Sequence, residues 1–171
     1  MNNTTNHAQA LDVQVVDAAI VSDLVRKAQA SERKRTHMLL HAGHHDQVQR
    51  MVIALEPGTY LRPHQHSQQW EMLALLRGSC DLLKFSAQGE LTGRVAMSVQ
   101  APVVQIPIGA WHGLYVRDKG TMLFEVKPGP YRPNEFADWA PPEGDPAVPQ
   151  YLESLESRIS RKPGIMTRSD C

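Results

Sequence analysis

The sequence predicts one all-β domain, a sandwich or a barrel, with a helix before the strands and a short helix after them. Eight short runs between residues 48 and 127 are rich in β-branched, aromatic or aliphatic residues. Glycine, proline or aspartate bounds these runs, and an amphipathic pattern of helical period precedes them. Many short strands separated by turn residues are typical of sandwiches and barrels, and 171 residues suit a single domain.

The N-terminal helix is predicted over residues 17–31, with Asp17 as its cap. The apolar residues that recur every three or four positions are Ile20, Val21, Leu24, Val25 and Ala28. Residues 1–14 are polar and aperiodic, which predicts a disordered tail. The charged run at 32–35 fits an anion-binding patch, although a solvated charge run beside a helix end is the simpler interpretation.

The strands follow, and together they predict a barrel over about residues 48–127. Their predicted ranges are 48–55, 59–62, 70–77, 79–86, 91–98, 103–106, 113–116 and 121–127. Turn-type sequences at 87–90 and 117–120 are natural hairpin loops. A proline-rich strap then leads to a helix at 150–160, so strap and helix occupy 128–160 of a domain spanning 15–160, and 161–171 is predicted to fray.

Composition limits the possible partners. Lysine plus arginine equals aspartate plus glutamate at 18 each, so no net charge attracts nucleic acid or an anionic membrane. No apolar run approaches the ~18 residues of a membrane span, and the first residues do not resemble a signal peptide. We therefore expect a cytoplasmic protein in which Cys80 and Cys171 are free thiols.

Histidines at short spacing predict a metal site between Gly58 and Gly78. His64 and His66 are two residues apart, which places both on one face of a strand. Glu71 begins the next predicted strand, and His112 is the candidate for a fourth ligand. A lone histidine is more often structural, but this joint spacing favours a metal. Three imidazoles and a carboxylate suit one divalent Fe, Mn, Ni, Co or Zn ion per chain, rather than Ca or Mg.

Other residues are candidates for binding substrate. Tyr60 and Arg62 share the strand face of His64 and His66, so Arg62 can clamp a carboxylate or phosphate unless it lies on the rim. His41 stands before the first barrel strand and is a candidate for the pocket. The cluster that contains it lacks a carboxylate at ligand spacing, so a surface or rim position is expected for His37, His44 and His45.

Glu125 and Lys127 are the candidate catalytic residues. They share one face of the last predicted strand, and if that face turns inward they form an acid/base pair near the metal. An ion pair on a solvated or dimer face is the alternative.

The histidine motif resembles the first motif of the cupin superfamily. The matching residues are Gly58, His64, His66, Glu71 and Gly78. The second cupin motif is matched at Pro107, Gly109 and His112, whereas Ala101 and Val116 stand where the family has glycine and asparagine. The resemblance implies a cupin-type double-stranded β-helix, or jelly-roll barrel, and cupins are often dimers.

Several longer segments resemble the WbuC family of cupin-fold metalloproteins, which occurs in O-antigen and other surface-polysaccharide gene clusters. They include "VQRMVIALEPGTYLRPHQH", "IPIGAWHGL" and "FADWAPPEGD". The resemblance implies a saccharide-type small-molecule ligand and a homodimer. This chain departs from the family at 36–40, where "THMLL" replaces a segment that carries asparagines.

These observations leave three functional hypotheses open. The first is a metal-dependent enzyme that isomerises or epimerises a sugar or nucleotide-sugar in surface-polysaccharide synthesis. The second is an Fe(II)-dependent dioxygenase acting on a small molecule, and the third is a non-catalytic, metal-containing saccharide-binding protein.

Overall fold

Two antiparallel sheets of five strands each face one another in the computed structural model, which describes residues 13–161. The helices are α1 (Ala18–Ala30) and α2 (Val148–Arg161). The strands are β1 (Arg35–Leu39), β2 (Val48–Leu55), β3 (His64–Gln65), β4 (Glu71–Arg77), β5 (Cys80–Phe85), β6 (Leu91–Met97), β7 (Val103–Ile106), β8 (His112–Val116), β9 (Thr121–Pro128) and β10 (Glu135–Phe136). The first sheet has the order β1-β2-β9-β4-β7 and the second the order β10-β3-β8-β5-β6. The predicted all-β fold class is therefore confirmed.

Some predictions concern residues outside this range. The predicted tails at 1–14 and 161–171 fall mostly there, and Cys171 falls there entirely. Within residues 13–161, neither helix has the length and hydropathy that a membrane span requires.

The main core lies between the sheets because alternate residues of each strand point inward. Leu73 and Leu123 from the first sheet pack with Leu82 and Val116 from the second. Each such side chain contributes roughly 1.5–3 kcal/mol when it is fully buried. On β9 the same alternation that buries Leu123 also directs Glu125 and Lys127 toward the interior.

Each helix covers the outer face of one sheet. Asp17 caps α1 by accepting a hydrogen bond of 2.9 Å from the Ile20 backbone N–H. Leu24 and Ala28 of α1 pack on the first sheet. Leu155 and Ile159 of α2 pack on the second sheet.

Two elements differ from the sequence prediction. The structure has an unpredicted strand, β1, at the edge of the first sheet, where Arg35–Leu39 pairs with β2. An edge strand needs only one buried face, so the charged and polar residues of β1 conceal the apolar pattern by which the other strands were predicted. The strand predicted at 59–62 is absent. Residues 59–63 form no regular structure, and the chain enters the second sheet only at β3.

Glycines of the two histidine-bearing motifs occupy backbone conformations that other residues avoid. Gly78 has a φ of 77° and Gly109 a φ of 74°, both in the left-handed region. At Gly78, between β4 and β5, an added Cβ would lie 2.9 Å from Thr121 Cα and 2.5 Å from Thr121 Oγ1. At Gly109 an added Cβ meets nothing within 4 Å. Gly78 is thus required both for its backbone conformation and for its close approach to Thr121, whereas Gly109 is required for its backbone conformation alone.

We predict that Gly78→Ala destabilises the fold more than Gly109→Ala does. The left-handed backbone alone costs about 1–2 kcal/mol per non-glycine residue, and the clash with Thr121 adds about 1–3 kcal/mol. Urea unfolding of the two variants measures the difference. Equal losses of unfolding free energy would contradict a role for the close contact with Thr121.

Candidate metal centre and adjoining cavities

The four predicted metal ligands come together between the two sheets. His64 begins β3 and His112 begins β8, and the two residues are paired directly across these antiparallel strands. Glu71 begins β4 in the opposite sheet, and His66 follows β3. One potential ligand atom from each residue lies within 4.8 Å of those of the others. The starts of three strands thus converge on one point.

Two of the imidazole rings are oriented by backbone carbonyls. His64 Nδ1 lies 3.1 Å from the Arg62 carbonyl oxygen, and His112 Nδ1 lies 2.8 Å from that of Ala110. A carbonyl accepts a hydrogen bond, so these contacts favour a proton on Nδ1 and leave Nε2 available as a ligand atom. His112 Nε2 lies 3.1 Å from Glu71 Oε2.

The surroundings of His66 Nε2 indicate whether the cluster fits a metal ion. This buried atom has no hydrogen bond within residues 13–161, although Glu71 Oε1 lies 3.4 Å away. An unsatisfied buried polar atom costs about 1–3 kcal/mol, and coordination would remove that cost. Three imidazoles and one carboxylate can hold a divalent transition metal, and the set suits Fe, Mn, Ni, Co and Zn alike.

The cluster is electrostatically coupled. Burial alone would raise the pKa of Glu71, but the neighbouring imidazoles of His112 and His66 and the ammonium of Lys127 outweigh burial and hold it well below its usual range. Burial, with His112 beside it, lowers the pKa of His64 to about 3. The ligand set is therefore a carboxylate surrounded by imidazoles, one of which stays neutral at physiological pH.

Glu125 and Lys127 face inward beside the cluster. Lys127 Nζ lies 2.9 Å from Glu125 Oε1 and 3.8 Å from Glu71 Oε1. Burial lowers the pKa of Lys127, but the carboxylates of Glu125 and Glu71 outweigh it and raise that pKa. Burial and the charge of Glu71 raise the pKa of Glu125 to about 7, against the effect of Lys127. The two groups form a buried ion pair next to the candidate ligands.

Two of the cavities that adjoin the cluster share lining residues. The inner cavity, of about 100 Å³, lies between the sheets and is lined by Ile53, Leu55, Leu61, His64, Glu71, Leu73, His112, Gly113, Leu114, Glu125, Lys127 and Asn134. The outer cavity, of about 310 Å³, is lined by Arg33, Arg35, Leu61, Arg62, His64, Asn134, Phe136 and Glu143. Leu61, His64 and Asn134 line both cavities.

The predicted substrate-binding residues have different surroundings. Arg62 lines the outer cavity and donates from Nε and Nη2 to the Ala137 carbonyl, at 3.1 and 2.7 Å. The Tyr60 hydroxyl donates to the Pro141 carbonyl at 2.7 Å. His41 Nδ1 lies 3.0 Å from the backbone nitrogen of Arg50 and 2.8 Å from its carbonyl oxygen. Their roles in binding stay predictions.

The remaining histidines within residues 13–161 and Cys80 lie elsewhere. His37 is exposed on β1, His44 stacks on Tyr131 with ring centroids 4.6 Å apart, and His45 Nε2 is 3.6 Å from an Asp46 carboxylate oxygen. Cys80 is buried in the main core, where burial raises the pKa of its thiol to about 12.

Four polar residues at the cavities were not predicted as site residues. They are Arg33, Arg35, Asn134 and Glu143. The charged run at 32–35 carried a signal for the arginines in its anion-binding interpretation. Asn134 and Glu143 lie in the proline-rich segment, where no periodicity assigns a direction to a side chain.

Comparisons with known proteins identify the fold. Residues 16–97 match a family model described as a domain of unknown function (DUF6016). No curated protein matches the chain. A protein from Bacillus halodurans is similar in structure, with a TM-score of 0.52 and 15% identity over 75% of this chain and 89% of its own. A cupin 2 domain-containing protein from Halorhodospira halophila has a TM-score of 0.50 and 12% identity over 75% of this chain and 83% of its own. The chain has a cupin fold.

That likeness concerns the fold of this chain and not its activity. A sugar phosphate isomerase from Silicibacter pomeroyi shares 22% identity over 62% of this chain and 64% of its own, with a TM-score of 0.46. A structural agreement at this level supports no statement about what this chain binds or acts on. The predicted cupin-type fold is confirmed, while membership of the cupin superfamily and the narrower WbuC resemblance stay predictions.

We predict that His64→Ala lowers the metal content of protein purified without chelator from about one ion per chain to a small fraction of that. The substitution removes one of four converging ligands. His37→Ala, at an exposed position on β1, is the matched control and should keep the full metal content. Elemental analysis by mass spectrometry measures both variants. A His64→Ala protein with a full complement of metal would refute the ligand assignment.

Proposed function

We propose that this cupin is a metal-dependent enzyme that isomerises, epimerises or similarly rearranges a hydroxy-carbonyl compound of the sugar or nucleotide-sugar type. The observation that carries the proposal is the buried Glu125–Lys127 pair, which shares the inner cavity with three of the four candidate ligands. Such rearrangements require proton transfer at a carbon next to a carbonyl, together with stabilisation of the negative charge that develops on oxygen.

The metal and the protein would divide this work. A divalent ion held by the three histidines and Glu71 would act as a Lewis acid on the carbonyl and hydroxyl oxygens of the substrate. Glu125 is the group placed to accept a proton from carbon, and Lys127 stabilises the carboxylate from 2.9 Å away. The protonated Glu125 then returns its proton to the same or a neighbouring carbon.

The walls of the inner cavity suit this chemistry. Ile53, Leu55 and Leu73 line it together with the charged pair. Apolar walls exclude bulk water, which strengthens electrostatic interactions inside the cavity. A single ion pair in an apolar cavity beside a candidate metal site is suited to proton transfer to and from a carbon atom of the substrate.

The biological setting belongs to the same proposal. The WbuC resemblance of the sequence supports a place in O-antigen or other surface-polysaccharide synthesis, a saccharide-type ligand and a homodimer. The geometry of the inner cavity supports the reaction class independently of that resemblance.

We predict that Glu125→Gln reduces turnover by about 10²–10⁴-fold, while the metal content stays that of the unsubstituted protein. Exchange of carbon-bound hydrogen with D2O, followed by NMR over a panel of sugars, sugar acids and nucleotide-sugars, measures the reaction. Glu153→Gln, at an exposed position on α2, is the matched control and should leave exchange unchanged.

The identity of the metal in the active protein separates this proposal from the alternatives. Exchange in the absence of oxygen with redox-inert Zn supports the rearrangement. Turnover only with Fe(II) and O2 would contradict it and indicate the dioxygenase. Tight saccharide binding without exchange under any of the five metals would indicate a protein that only binds.

A further inference from the structure

The outer cavity carries an excess of positive charge. Three arginines and one glutamate are the formally charged residues that line it, which leaves two uncompensated positive charges. Guanidinium groups are charged at all physiological pH values and bind carboxylate and phosphate through paired N–H donors. This local charge contrasts with the chain as a whole, whose formal net charge is zero.

Glu143 shows how an oxyanion is held in this cavity. Both of its carboxylate oxygens accept hydrogen bonds from Arg33, from Nε at 2.7 Å and from Nη2 at 2.8 Å. Arg35 Nη2 donates to Glu143 Oε1 at 2.6 Å. Burial would raise the pKa of Glu143, but the two arginines outweigh it and lower that pKa, so the group is a carboxylate at neutral pH.

Arg35 is held in place independently of Glu143. Its Nη1 donates to the Tyr60 carbonyl at 2.8 Å and lies 3.4 Å from Thr59 Oγ1. The Arg35 side chain is only 14% exposed, whereas those of Arg33 and Glu143 are 61% and 39% exposed. A fixed guanidinium with a more exposed carboxylate partner can exchange that partner for a ligand.

Further donors in the outer cavity make no hydrogen bond to the residues that the structure describes. Within residues 13–161, Arg62 Nη1 makes no hydrogen bond, because Arg62 binds Ala137 through Nε and Nη2 alone. The side-chain amide of Asn134 likewise has no hydrogen bond to another described residue, and Asn134 lines both cavities. These groups can bind the anion and a neighbouring hydroxyl of one ligand.

We infer that the outer cavity is an anion subsite, in which Arg33, Arg35 and Arg62 bind the carboxylate or phosphate of a polyhydroxy substrate and Glu143 occupies that place when no substrate is bound. The inference rests on the proposed function, because it defines the substrate class of the same site. The two cavities share His64, so a ligand anchored by its anion in the outer cavity can extend its hydroxy-carbonyl end to the metal ligands.

A purely structural role for these ion pairs leads to a different expectation. If Arg33, Arg35 and Glu143 only join β1 to the C-terminal segment, then removing the charge of Glu143 has no effect on anion binding. If Glu143 competes with a ligand, Glu143→Gln strengthens anion binding.

The test is titration calorimetry with three six-carbon probes, namely glucose 6-phosphate, gluconate and uncharged glucose. Each is added to the protein as purified and to the protein after removal of metal by a chelator. We expect at least one charged probe to bind about tenfold or more tightly than glucose in both states, as charge-assisted hydrogen bonds to arginine provide. The tighter of the two charged probes identifies phosphate or carboxylate as the anion.

Substitutions assign that binding to the outer cavity. We expect Arg33→Gln and Arg35→Gln each to weaken the charged probe about tenfold, and Glu143→Gln to strengthen it severalfold. Arg26→Gln is the control, because Arg26 is an exposed arginine paired with Asp23 on α1. Arg33 and Glu143 are exposed enough for their variants to fold. The test is therefore still decisive if Arg35→Gln does not fold.

The outcomes separate the subsite from the proposed enzyme. Equal binding of charged and uncharged probes, an unchanged affinity in Arg33→Gln, or weaker binding in Glu143→Gln would each overturn the anion subsite. Arginine-dependent binding in the metal-free protein supports the subsite even if no metal-dependent turnover exists. If the protein turned over uncharged sugars but bound neither anion, the proposed enzyme activity would stand and the anion subsite would be refuted.

Discussion

The carboxylate of Glu71 is buried between the sheets, and a buried charge is tolerated only where opposite charges and hydrogen bonds compensate its lost hydration. That compensation comes from both sides. His66 and His112 approach from the second sheet, whereas Lys127 approaches along the first. The two sheets must therefore be correctly placed relative to each other at this point. Within the second sheet, the direct pairing of His64 with His112 across β3 and β8 fixes the relative position of these two residues. Many combinations of apolar side chains can fill the rest of the core, but few arrangements of polar residues can compensate the buried charge of Glu71.

Sequence reasoning predicted what depends on periodicity and on joint spacing. Alternation along β9 placed Glu125 and Lys127 on one face, and spacing grouped His64, His66 and Glu71 with the distant His112. It was wrong where side chains bind irregular backbone. The strand assigned at 59–62 is absent, and the residues there contact carbonyls of the C-terminal segment. The partnership of Arg33 with Glu143 spans 110 positions, and no local pattern encodes such a contact.

The two cavities have complementary characters that meet at His64. The inner one is apolar apart from the candidate ligands, one ion pair and Asn134, so it is suited to the proposed rearrangement away from water. The outer one is rich in arginine and more open to solvent, so it is suited to recognition and to attracting anions. In the proposed function, this separation would let binding energy from a remote anion orient the reacting end of the substrate without altering the chemistry beside Glu71.

The irregular C-terminal segment after β9 belongs to neither sheet except at the two residues of β10, yet it provides Asn134, Phe136 and Glu143 to the cavity walls. Its attachment to the rest of the fold is through contacts such as Tyr60 with Pro141 and Arg62 with Ala137. Loop segments on a rigid scaffold can change sequence at little cost to the core. Evolution or protein engineering can therefore alter the cavity walls of this protein by replacing one contiguous stretch of chain, with the candidate metal ligands and the interior of the sandwich left unchanged.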